Sequence, residues 1–424
     1  MPPFRAATPA STGFRTPSLT RVQTAPYPSS RPVSAARPPT ASSRPRTARP
    51  RTATSTTGND TNVIAAITEG RGVATSVGLC FLSLDTGECI LSQISDSQTY
   101  GKTIHKLAVF DPLEIVMPES NIIPQKTKLC RIIEENLPGA SIVAGPRRHF
   151  REDLGMEYMN QLTLEEDLES VKVAISASYY AISATAAIIK HAEISRNVVF
   201  THGSLRVKYQ GSEGSMLIDY LSIRNLELVQ NIQNPKSAQC LYGVLDHCHT
   251  PMGKRLLRSN ILQPSSDLHT IDARLDAVTE IIQNEDMFQG TMQALKGFQD
   301  FDRLLTMLLS VSDRGMPTED RISSIILLKH TLEKIPPLLE AITGCRSGLL
   351  VAIQRLCSDL RIRTAIDLIK EVVNEDATWT KGALGLRHQR CYAVKVCSPN
   401  FHLHTERGQW SSRRRKTKVQ RSHI

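Results

Sequence analysis

Short apolar runs open the patterned part of the chain. Val63–Ile67, Gly78–Leu84 and Cys89–Ile94 are separated by Gly70-Arg71-Gly72 and by Asp85-Thr86-Gly87. Runs of this length, bounded by turn residues, predict three strands joined as hairpins. A helix is expected over Tyr100–Lys106 and a strand over Leu113–Met117, closed by Pro118. A helix over Lys126–Glu135 and a strand over Ser141–Val143 follow. Antiparallel strands followed by alternating helix and strand make an α/β domain. One long helix, from about Leu168 to Ile194, is expected to close it or lead out of it.

From about Glu213 the apolar spacing becomes helical. Pro264 stops one segment and Asp267 caps the next, in which Ile271, Leu275, Val278 and Ile282 recur at helical spacing. Helices are also expected over Phe301–Val311, Thr318–Ile335, Gly348–Leu360 and Ile362–Val373, and the pattern falters near Gly382. No internal repeat is present.

Composition marks the ends. Residues 1–61 hold eleven of the 23 Pro, amid Ser, Thr, Ala and Arg. Such a segment buries too little apolar surface to offset its ordering entropy, so it is expected to be disordered. Residues 397–424 show no apolar periodicity. The expected organisation is therefore a basic tail over 1–61, an α/β domain over 62–195, a helical domain over 196–396 and a second basic tail over 397–424.

Charge follows the same division. The net +10 consists of +8 in residues 1–61 and +6 in 397–424, leaving −4 for 62–396. The basic character is terminal, and global charge gives the central domains no support as nucleic-acid binders. The nine Cys occur singly, with no CxxC pair, which fits reduced thiols acting as small buried hydrophobes. Val173–Ile189 is uncharged but short for a membrane span and interrupted by Ser and Thr, so a buried helix is expected.

Candidate chemistry is sparse. Gly70-Arg71-Gly72 follows a strand, but Thr75 stands where a dinucleotide fingerprint needs its third Gly, so a hairpin turn is the reading. Gly253-Lys254 has Cys248 in place of the first phosphate-loop Gly and Arg255 in place of the Mg²⁺-binding Ser/Thr. Asp246-His247-Cys248-His249 crowds four possible ligands together without a second pair at zinc spacing. A hairpin opening of this kind resembles an RNase H-like sheet, which raises a nucleic-acid enzyme as an alternative. That chemistry needs converging carboxylates around two metal ions, yet Val63–Ile67 carries none and Glu69 sits at a turn. No catalytic, cofactor-binding or metal residue is assigned, and no residue is singled out for DNA.

A family resemblance rests on linked marks in the helical part. Arg224-Asn225-Leu226-Glu227-Leu228 is followed by Tyr242-Gly243-Val244-Leu245-Asp246 and by Thr250-Pro251-Met252-Gly253-Lys254-Arg255-Leu256-Leu257-Arg258. Gln263-Pro264 and Ile271 with Arg274-Leu275-Asp276-Ala277-Val278 complete the set. In that order and spacing the segment resembles the start of the core, or lever, domain of MutS proteins. Gly253 is expected to permit close helix contact, and Leu256 and Leu257 to face a core. The α/β domain then resembles the MutS connector, led into directly by the N-terminal tail. Phe150-Arg151-Glu152 matches the Phe-x-Glu wedge of mismatch-reading MutS domains, but its place late in the sheet pattern makes chance the reading.

Glu69-Gly70-Arg71-Gly72, Phe110-Asp111-Pro112-Leu113-Glu114 and Tyr209-Gln210-Gly211-Ser212-Glu213 are most similar to the meiotic branch of the family. The resemblance implies a heterodimer with MutS protein homolog 5 that clamps Holliday junctions and promotes crossing-over in meiotic nuclei. It also implies a C-terminal ATPase using ATP and Mg²⁺. The family likeness is expected to stop near Val396, inside the helical core, before the clamp helices and ATPase. This stretch is thus expected to be a non-catalytic piece, with a helical interaction scaffold as a further alternative.

Overall fold

A computed structural model describes residues 62–374, apart from 71–74, 212–213, 236, 310 and 313–317. The two basic tails and the faltering pattern near Gly382 lie outside the described residues.

Six strands form one sheet in the order β5-β4-β1-β2-β3-β7. Here β1 is Val63–Glu69, β2 Ser76–Ser83, β3 Glu88–Ser95, β4 Glu114–Pro118 and β5 Ser141–Gly145. A separate two-residue strand β6, Val198–Val199, precedes β7, Arg206–Tyr209. β1, β2 and β3 are successive antiparallel partners, while β4 and β5 run parallel to β1. This is the expected RNase H-like arrangement. Its apolar runs are continuous because both faces are buried. Val63, Ala65 and Ile67 point to one face with Leu79, Phe81, Ile115 and Met117. Ile64 and Ala66 point to the other with Cys80, Leu82, Leu91 and Val116.

α1 (Gly101–Phe110) and α2 (Lys128–Asn136) cover the first face. α3 (Glu152–Leu162), α4 (Glu165–Ile175) and α5 (Tyr179–Arg196) cover the second. Gly78 lets α5 touch the sheet: a Cβ there would lie 2.1 Å from the carbonyl carbon of Tyr180.

The single helix expected over Leu168–Ile194 is two helices. Gln93 of β3 reaches into the break, its Oε1 accepting from Tyr180 N at 2.9 Å and its Nε2 donating to the Ala177 carbonyl at 3.2 Å. One side chain thus satisfies an orphan donor and an orphan acceptor where the helices part. The uncharged run Val173–Ile189 is divided at this point, and among the described residues no helix is long and apolar enough to cross a membrane. α3 was not anticipated. The sheet also does not end at residue 195: β7 pairs parallel to β3, with Cys89 opposite Val207.

The remainder is helical: α6 (Tyr220–Asn225), α7 (Leu241–Leu245), α8 (Pro251–Leu262), α9 (Leu268–Gln283), α10 (Glu285–Leu295) and α11 (Phe301–Leu309). The two-residue β8, Val311–Ser312, pairs with β6. α12 (Thr318–Leu332), α13 (Ile335–Ala341), α14 (Gly348–Cys357) and α15 (Leu360–Val372) follow. Asp267 caps α9 as expected, accepting from His269 N and Thr270 N. The helix expected over Thr318–Ile335 stops at Leu332, before Pro336 and Pro337 enter the next one.

Two packing expectations, those for Leu256 and Gly253, are corrected, and the apolar spacing of α9 is not matched by burial. Leu275, Val278 and Ile282 of α9 are exposed, and only Ala277 of that helix is buried. Leu256 is exposed. Gly253 serves its own helix end, since a Cβ there would lie 2.9 Å from Thr250 Oγ1.

Candidate functional site: the joint between sheet and helices

The sheet domain and the helices meet along α1, β7 and α8. Thr250 accepts from Gly253 N at 3.1 Å and Pro251 occupies the first turn, which fixes where α8 begins. The helix then runs past the C-terminal end of α1. Arg258 donates to the Val109 carbonyl at 2.6 Å, and His105 Nε2 donates to the Leu262 carbonyl at 3.2 Å. Both carbonyls belong to last turns, which lack intrahelical partners. Each helix therefore supplies a donor to the other's end. A carbonyl only accepts, so His105 must carry its proton on Nε2. Burial pushes both the His105 imidazole and the Arg258 guanidinium below their ordinary values. Val109, Ile223 and Leu262 form the apolar core between them.

A second set of contacts fastens α11 to the sheet's hairpin end. Arg255 forks onto Asp300 at 2.6 and 2.9 Å and also reaches Asp302 at 2.8 Å. Arg206 of β7 donates to the other oxygen of Asp302 at 2.8 Å and to the Thr86 carbonyl at 3.0 Å. Arg303 pairs with Asp85 in the β2–β3 turn at 2.7 Å. Burial raises the Asp300 carboxyl, but the Arg255 bonds and charge outweigh it and the net shift is downward. Bidentate guanidinium–carboxylate pairs fix orientation as well as distance. A cleft of about 420 Å³ lies between these contacts and the α1–α8 seam, lined by Phe81, Phe110, Met252 and Tyr209 among others.

This network was not visible as a site beforehand. Arg255 and Arg258 lie within the family mark and share one helix face by their spacing of three. Their acceptors are 45 and 149 residues away in the chain, so nothing local identifies them.

The residues singled out by sequence are not brought together. Gly70 directly follows β1, while Arg71 and Gly72 lie outside the described residues. Lys254 is engaged with Asp246 at 2.8 Å, and Gly253 N is used by Thr250. These residues do not fit an ATP phosphate cradle. Asp246 also accepts from Cys248 N at 3.3 Å, and His247 and His249 do not join it in a metal cluster among the described residues. Phe150 packs half-buried against the second-face core, and Arg151 pairs with Asp153.

The carboxylates on the sheet are equally dispersed. Glu69, at the far end of β1, accepts from the Tyr100 hydroxyl, which burial and this bond push to a raised pKa. Glu114 opens β4 on the α5 face, held by His191 at 2.9 Å and Arg196 at 2.7 Å. Glu88 opens β3 on the opposite face and pairs with Lys208 at 2.9 Å. The convergence that two-metal chemistry requires is not formed by these three.

Comparison with known proteins agrees with this division into sheet and helices. The model of MutS domain II matches residues 62–203 and that of MutS domain III residues 222–415. The second match runs past residue 396, where the family likeness was expected to stop. The chain is 39% identical over 338 residues to MutS protein homolog 4 of Mus musculus and of Homo sapiens, covering 79% of this chain and 35% and 36% of theirs. It is 33% identical over 334 residues to MutS protein homolog 4 of Saccharomyces cerevisiae, covering 77% of this chain and 38% of that one. The chain thus spans little more than a third of the length of these relatives. Two consecutive domain models of one family, matched in order across the sheet and the helices, show that the chain belongs to the MutS family.

Proposed function

We propose that this chain is the connector and lever portion of a meiotic MutS homologue of the homolog 4 kind. In this reading it acts in the nucleus, pairs with MutS protein homolog 5, and helps hold branched recombination intermediates such as Holliday junctions while crossing-over proceeds. Its own contribution is mechanical and non-catalytic. ATP and Mg²⁺, where the whole assembly uses them, act outside this stretch.

The joint carries this reading. Arg255 and Arg206 converge on Asp302 from a helix and from a strand, which ties movement of α8 and α11 to movement of the sheet. A lever needs such a rigid attachment, whereas an enzyme of the RNase H kind needs convergent acids, and Glu69, Glu88 and Glu114 are each engaged elsewhere.

The test is co-purification of the full chain with MutS protein homolog 5, followed by titration of a four-way junction and of a duplex of equal length. A stable pair that prefers the junction is the expected result. A chain that forms no complex and cleaves nucleic acid in the presence of Mg²⁺ would overturn the reading in favour of the enzyme alternative.

A further inference from the structure

Lys106 lies on α1 with only 3% of its surface exposed. Among the described residues its ammonium has neither a hydrogen-bond nor an ion-pair partner. Its nearest organised contact is the ring of Phe110, with Nζ 5.9 Å from the centroid. The stem is buried and Nζ keeps only a trace of solvent contact, so the ammonium is largely desolvated with no anion to offset the cost. Burial alone lowers its pKa to about 8. Whenever Nζ carries its proton, that charge has no partner within the fold.

The same side chain lines a small pocket where α1 meets the segment entering α6. Lys102, one turn earlier on the same face, stands at its rim, with Ser215 and Gln263 opposite and Ile94 and Met216 as apolar wall. The pocket offers about 50 Å³. That space suits a few waters or one small tetrahedral anion. No neighbouring charge offsets the burial of Lys106, and Asp219 acts on the neighbouring His105.

We propose that this pocket binds a tetrahedral oxyanion of the phosphate class, held by the Lys106 ammonium with Lys102 and the Ser215 hydroxyl. The anion supplies the missing counter-charge and donor-only ammonium groups match its acceptor oxygens. Because α1 belongs to the sheet and Ser215 to the chain leading into the helices, occupancy ties the two parts together and stabilises the joint by mass action.

Thermal unfolding of the full chain tests this, titrated with inorganic phosphate against chloride at matched ionic strength and, in a parallel arm, with a short DNA duplex. Phosphate excludes itself from protein surfaces and stabilises non-specifically, so the decisive readout is a saturable rise that depends on Lys106. The expected result is such a rise with phosphate, abolished in Lys106→Met and weakened severalfold in Lys102→Met. A Lys106-dependent rise with duplex alone would also support the site and would assign the phosphate to the nucleic-acid backbone. A rise that persists in Lys106→Met, or no rise with either anion, would overturn it. Should Lys106→Met fail to fold, the ³¹P signal of inorganic phosphate titrated with the unmodified chain and with Lys102→Met decides: saturable broadening that weakens in Lys102→Met supports the site, and no broadening, or broadening equal in both, overturns it.

Discussion

Arg258 and Val109 are joined across the seam between α8 and α1, guanidinium to carbonyl oxygen, at 2.6 Å. The acceptor is one of the carbonyls that a helix leaves open in its last turn, and the donor is largely buried with Asp111 4.0 Å away as its nearest carboxylate. Replacing Arg258 with Met keeps the apolar stem and removes the donor. The expected cost is about 2 kcal/mol, the usual range for a bond from a charged group. Urea unfolding of the two chains measures it. An unchanged midpoint would show that the seam does not depend on this bond.

The Arg255–Asp300 pair offers a sharper test because both side chains are three-quarters or more buried. A double-mutant cycle with Arg255→Met and Asp300→Asn is expected to give a coupling of about 1–2 kcal/mol, within the range found for contacting residues. Asp302 shares Arg255 with Asp300, so each single change also disturbs a neighbour. Additive effects would mean that the fork is not formed in solution.

The sheet was legible in the sequence and the joint was not, for physical reasons. Burial on both faces turns β1 and β2 into continuous apolar runs, and such runs stand out regardless of what covers them. The break before α5 depends on Gln93, some ninety residues earlier, and leaves no local mark beyond Ser176 and Ser178. α3 contains Gly155, a residue that lowers helix propensity. The position admits the carbonyl oxygen of Ile182, 2.3 Å from where a Cβ would stand. Glu152 and Asp153 in its first turn were the available signal. In α9 the spacing of Leu275, Val278 and Ile282 correctly gave a helix, but periodicity says nothing about whether the apolar stripe is covered. The charged residues of the joint look like ordinary surface until their distant partners are known.

Glu114 gives a pH signature. The hydrogen bond from His191, foremost, and the charge of Arg196 hold its carboxyl below the ordinary 4.5. A depressed folded-state value contributes stability that is fully present above the ordinary value and lost as pH falls through the depressed one. Glu114→Gln should therefore be less stable than the unmodified chain at pH 6, with the difference shrinking as pH is lowered below about 4.5. Urea unfolding of both chains from pH 6 to pH 3 checks this. A difference that stays constant across the series would show that Glu114 is not favoured in its charged form.

DNA binding by this chain alone should come from its ends. Residues 62–396 carry −4, whereas 1–61 and 397–424 together carry +14. Phosphate contacts supply most non-specific affinity, and each Lys or Arg that neutralises a phosphate releases a counterion, so log affinity should fall steeply with log salt. Arg and Lys side chains that meet phosphates carry no sequence information, so such binding is expected to read neither base edges nor junction shape. Arg413–Lys418 also suits a nuclear-import signal, and that use would be compatible with weak binding. The full chain is compared with a 62–396 version on a duplex and a four-way junction over a salt series, with circular dichroism confirming that the shorter chain is folded. Trimming should remove most of the affinity and flatten the salt slope, with no preference between the two DNAs. Retained affinity with a preference for the junction would instead make the helical part the reader of DNA shape.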